Sequence, residues 1–92
     1  MLKFTDLNFH KFDCPGNADA VQAKHFFPNG YGVSVVRHPG SYGFFQGLYE
    51  LAVLQGDEDK WELCYDTPVT SDVLGHLSEQ DVEDVVLKVQ SL

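Results

Sequence analysis

The chain has 92 residues, 43% of them hydrophobic, and carries a formal net charge of −8. That length suits one domain, read here as residues 1–92, and is too short for two. A domain of this size buries roughly 60–65% of the surface its unfolded chain exposes, which is enough for one modest core. Seven Phe, four Tyr and Trp61 supply apolar surface that disordered chains lack.

No stretch approaches the ~20 apolar residues of a membrane span. The opening Met1-Leu2-Lys3-Phe4-Thr5-Asp6 lacks the basic region, apolar run and cleavage site of a signal peptide. The expected compartment is therefore the cytoplasm, with Cys14 and Cys64 as free thiols. The charge is unevenly spread. Residues 1–49 hold three acids against four bases, a net of +1, whereas residues 50–92 hold eleven acids against Lys60 and Lys88, a net of −9. Phosphate backbones and anionic membranes would be repelled by this half, so a partner with a basic surface is expected, not nucleic acid or lipid. The competing reading is that the acids only keep a small protein soluble.

In chain order, Phe4–Phe12 reads as a weak edge strand. Next comes Asn29-Gly30 between two strand-like runs, the strongest short hairpin signal. A two-residue tip there pairs Phe26 with Val33 and Lys24 with Val35 on one face. On the other it pairs Phe27 with Gly32, His25 with Ser34 and Ala23 with Val36. Both faces carry apolar residues, so the hairpin belongs inside a larger sheet.

The stretch from Arg37 to Gly47 has four Gly or Pro residues yet includes Tyr42, Phe44 and Phe45. Aromatics on a flexible loop can anchor a partner, or they can tuck under the sheet and complete the core. A second hairpin follows. Leu48–Leu54 forms a mostly buried strand, residues 55–59 a charged turn, and Lys60–Tyr65 a strand alternating with period two. Trp61, Leu63 and Tyr65 then point one way, and Lys60, Glu62 and Cys64 the other.

The segment Pro68–Gly75 predicts a single helical turn closed by Gly75. After it, Ser78 is a natural N-cap with Asp81 three residues on, and Leu77 and Val82 stand at hydrophobic-staple positions. Val82, Val85, Val86 and Val89 follow the spacing of one buried helix face. Acids crowd the helix start and Lys88 lies near its end, as the helix dipole favours. Valine is a mediocre helix former, so packing on the sheet must hold this helix. The expected fold is α+β: an antiparallel sheet of four to five strands, built from two successive hairpins, with a C-terminal helix on one face.

Few motifs carry chemistry. No Cys-x-x-Cys or His-x-x-x-His pair occurs, and His10 and Cys14 lie in a strand running into a turn. On the hairpin register above, His25 and His38 share a face but stand about 13 Å apart along the strands, too far for one tetrahedral site. No metal or cofactor is expected. There is no phosphate loop, no Ser-centred elbow and no paired catalytic carboxylates. The chain does not read as an enzyme. A small Cys-dependent activity is the remaining catalytic alternative, because Cys and His partners meet in space and not in sequence.

The acids offer more. Asp57, Glu58 and Asp59 at a hairpin tip, with Glu62 and Asp66 along the next strand, could form one negative ridge. Glu79 and Glu83 lie one turn apart on the outward helix face. If ridge and helix look the same way, together with Tyr42, Phe44 and Phe45 they make a partner-binding surface. If they look apart, they are ordinary solvated charge.

The segments Phe27–Val35, Tyr49–Leu54 and Cys64-Tyr65-Asp66-Thr67-Pro68 resemble small accessory proteins of tailed bacteriophages and prophages. The resemblance spans about two thirds of the chain and includes no catalytic motif. It implies the cytoplasm of an infected bacterium. It also implies an anti-CRISPR-like inhibitor that blocks a nucleic-acid-handling defence complex by steric exclusion and acidic mimicry of DNA. The alternative it leaves is a phage structural or assembly protein acting as a homodimer.

Overall fold

A computed structural model describes residues 3–11, 20–37, 46–64, 67 and 73–92. Within them the chain forms six strands and one helix: β1 (His10–Lys11), β2 (Val21–Phe26), β3 (Tyr31–Arg37), β4 (Tyr49–Gly56), β5 (Trp61–Leu63), β6 (Leu74–Leu77) and α1 (Glu79–Gln90). All pairings are antiparallel, in the order β1-β2-β3-β4-β5, and β6 also pairs with β4. β5 meets β4 at Leu54–Gly56 and β6 meets it at Tyr49–Leu51, so the two strands share one edge of β4 at its opposite ends. This is the expected α+β architecture, with one strand more than the sequence indicated.

The first hairpin forms one residue out of the expected register. Ala23 faces Val35, His25 faces Val33 and Phe26 faces Gly32. The Phe27 N–H donates to the Tyr31 carbonyl at 2.8 Å, and the Gly30 N–H to the Phe27 carbonyl at 3.3 Å. The loop is therefore three residues long: a turn with Pro28 in its second position, then Gly30 in the left-handed region at φ 87. A type I′ turn would need positive φ at Asn29 as well, and Asn29 has none. A one-residue slip exchanges the faces of a strand. It moves Ala23 into the core beside Val33 and Val35, and Lys24 to the other side.

That core lies between the sheet and α1. Val33, Val35, Leu51 and Val53 are fully or almost fully buried against Val82, Val86 and Val89. Val85 is only partly buried and flanks this cluster. Ser78 caps the helix as expected: its Oγ accepts from the Asp81 N–H at 3.1 Å, and the Asp81 carboxylate accepts from the Ser78 N–H. Leu77 packs against the same core.

Two further expectations are corrected. Instead of a strand from Phe4, Phe4–Asp6 make a single 3-10 turn and, among the described residues, His10–Lys11 pair with β2; Phe12 lies outside them. Phe4 and Phe9 cluster with Tyr49, ring centroids 5.2 to 5.6 Å apart, which holds this segment by packing. Residues 68–72 of the expected helical turn lie outside the described residues, and Gly75, expected to close that turn, lies inside β6. There β6 carries one residue more than β4 between the pairs Tyr49–Leu77 and Leu51–Leu74, a bulge in which His76 takes φ 56.

Candidate functional site

The β4–β5 turn is built by Asp57. Its Oδ1 accepts from the N–H groups of Asp59 and Lys60, both at 2.9 Å, and the Asp57 N–H donates to the Lys60 carbonyl. Asp57 is thus occupied in shaping the turn. Glu58, Asp59 and Glu62 are exposed beside it. The Gly56 N–H donates to the Gly30 carbonyl, so this turn sits at the end of the sheet where the first hairpin has its tip.

Glu79 and Glu83 lie elsewhere. The helix starts directly after β6, whose Leu77 faces Tyr49 at the far end of β4. β4 has eight residues and runs about 25 Å at ~3.3 Å each from the turn to the end where the helix starts. Glu83 is also engaged, its Oε1 accepting from the Phe4 N–H at 3.1 Å. The turn acids and the helix acids therefore do not form one ridge. Asp66, Tyr42, Phe44 and Phe45 lie outside the described residues, as do Cys14 and His38.

What the structure gathers around the turn is a cleft. The sheet face away from α1 bears Gln22, Lys24, Phe26, Ser34, Ala52, Leu54, Trp61 and Leu63, by the strand registers. Its centre is closed: Leu54 is fully buried, and Ser34, also buried, accepts from Gln22 Nε2 at 3.0 Å. Toward β5 it is exposed. Trp61 at 39% and Leu63 at 49% are the large hydrophobic residues most open to solvent among those described.

A cleft of about 320 Å³ beside Trp61 is lined by His10, Gln22, Lys24, Phe26, Glu58 and Trp61. Four strand spacings separate β1 from β5, about 19 Å on a flat sheet. Side chains from both edges line one cleft, so this face is bent into a trough. Lys24 reaches across it, its Nζ 4.5 Å from the Trp61 ring centroid. A pair of this kind at an exposed site contributes about 0.5–1 kcal/mol. On the other side of Trp61, a second cleft of about 330 Å³ is lined by Gln55, Gly56, Lys60, Trp61 and Glu62. The indole is a wall between two shallow clefts, each holding one carboxylate and one lysine.

Of the residues expected to bind a partner, Glu58 lines the first cleft and Glu62 the second, while Asp57 and Asp59 belong to the adjoining turn. Trp61 and Lys24 were not among them. The alternation of β5 did put Trp61 and Leu63 on one face, but nothing in the sequence says which face the helix takes. Cys64 is buried in the core on the helix side, the ordinary place for a small thiol. Among the described residues no three His, Cys, Asp or Glu side chains come together as metal ligands would. No described helix is long and apolar enough to cross a membrane. Comparison with family models, curated proteins and solved structures returns no match.

Proposed function

We propose that this chain is a binding protein that docks on a basic surface of another protein, through the trough-shaped sheet face and the acidic β4–β5 turn at its rim. The observation that carries this reading is Trp61. It is a large aromatic left exposed on a strand edge, with Glu58 in the cleft on one side and Glu62 in the cleft on the other. Interfaces concentrate their energy in such aromatics, and rim charge sets specificity and encounter rate. The docking acts by occupation, without chemistry. The resemblance to phage accessory proteins makes a nucleic-acid-handling defence complex of the bacterial host the target class, with an anti-CRISPR-like outcome. Acidic mimicry is then confined to the turn, because Glu79 and Glu83 stand at the other end of the sheet.

The test is affinity capture from a bacterial lysate treated with nuclease, at low and at raised salt. The reading expects one protein complex to be retained after nuclease and released by salt. Capture that disappears with nuclease, or that salt leaves untouched, counts against it.

Trp61 and Leu63 also favour a second reading, since two apolar side chains on an edge strand suit a second copy of the chain, as in a phage structural or assembly homodimer. Sedimentation at rising concentration separates the two: a dimer dispersed by Leu63→Lys supports assembly, and a monomer at all concentrations supports docking.

A further inference from the structure

We infer that the cleft beside Trp61 is a receptor for a cationic side chain, an arginine of the docked partner, and that Lys24 occupies its place in the free protein. This rests on the docking reading above and names the group that the partner presents.

Lys24 starts on β2 and Trp61 on β5, with β3 and β4 between them. The four-carbon stem crosses the trough and lays its ammonium 4.5 Å from the indole centroid. The cleft thus already shows which chemistry it accepts: a positive charge over the face of a tryptophan. Lys24 is exposed, so its ammonium can swing into water and regain its hydration. A guanidinium is planar, more weakly hydrated and stacks better on an aromatic face, so an arginine exchanges favourably for it. Glu58 lines the same cleft and supplies the counter-charge, with Glu62 across the indole in the second cleft. An anionic occupant would meet Lys24 and His10, but also Glu58, the carboxylates of the turn and a chain of net charge −8. Charge complementarity selects the cation.

Trp61 is the single tryptophan of the chain, so its emission reports on the two clefts it borders, and the Lys24 and Glu58 variants assign a change to the first. The experiment titrates the full chain with a short peptide alternating arginine and glycine. A matched lysine peptide, a matched glutamate peptide and a short oligothymidylate run in parallel. Expected is a saturable change in Trp61 emission with the arginine peptide, weaker by several-fold with lysine, and lost at high salt. Lys24→Gln removes the internal competitor and tightens binding by about two- to fivefold. Lys11→Gln, which removes the same charge from β1, changes it less. Glu58→Gln weakens it by about three- to tenfold. With a labelled peptide read by anisotropy, Trp61→Ala weakens it by about tenfold or more.

The inference is overturned if the arginine peptide leaves the emission unchanged, if Lys24→Gln weakens binding or matches Lys11→Gln, or if the oligothymidylate binds instead. A silent titration beside salt-sensitive capture from lysate removes the arginine receptor and leaves docking intact. Peptide binding without capture keeps the receptor and removes the docking reading.

Discussion

The side-chain amide of Asn29 donates to the backbone carbonyl of Val89 at 2.9 Å, joining the tip of the first hairpin to the last turn of the helix across sixty residues of sequence. The same nitrogen reaches the main-chain oxygens of Gln90 at 3.2 Å and Leu92 at 3.1 Å, while Asn29 Oδ1 accepts from the Tyr31 N–H. Carbonyls at a helix C-terminus lack intrahelical partners and carry the negative end of the dipole. One side chain therefore caps the helix and braces the turn. Asn29→Ala should lower stability by about 1–3 kcal/mol, read from the denaturant midpoint. Asn29→Asp should cost more at neutral pH, because a carboxylate would face the same carbonyls.

Glycine substitutions should separate sterics from backbone preference. A Cβ on Gly32 would lie 2.6 Å from the His25 carbonyl oxygen and 2.6 Å from Cδ1 of Phe26, and the carbonyl belongs to a paired strand that cannot step aside cheaply. Gly32→Ala should cost about 1–3 kcal/mol. Gly56 adds a second penalty, since its φ is 129 and its Cβ would run into the Lys60 carbonyl. Gly56→Ala should be the worse of the two by thermal midpoint, and it should loosen the β4–β5 turn that carries the acids.

The core is thin enough for one truncation to matter. Leu51 is fully buried at the centre of the sheet. Leu51→Ala should cost about 2–5 kcal/mol. A domain of 92 residues has about 5–14 kcal/mol in all. Calorimetry should show either a much lower transition or none.

How far the sequence could be read follows from which constraints are local. The helix was legible because its cap, its acidic first turn and its valine stripe all lie within fifteen residues and agree. The hairpin was legible in existence but not in register. Asn29-Gly30 marks the turn, yet Pro28 sets the second turn position and shifts the tip by one residue. The Asn29 side chain meanwhile serves a helix end that no local reading connects to it. β6 was missed because four residues with a glycine in the middle look like a turn, and only the free edge of β4 makes them a strand. The site was half legible. The turn acids stand together because they are neighbours in sequence. Trp61 becomes an exposed wall only because the helix takes the opposite face, and Glu79 and Glu83 are distant only because β6 returns to the far end of β4.

The most direct test of the account sets two double variants side by side in the capture experiment. Trp61→Ala with Glu58→Gln strips the cleft, while Glu79→Gln with Glu83→Gln neutralises the helix acids and keeps a side-chain oxygen at position 83 to accept from the Phe4 N–H. Both should stay folded by circular dichroism, since Trp61, Glu58 and Glu79 are exposed. The account predicts that the first variant loses at least tenfold in partner affinity and the second stays within twofold of the parent. Loss of binding by the helix variant, with the Trp61 variant unaffected, would contradict it.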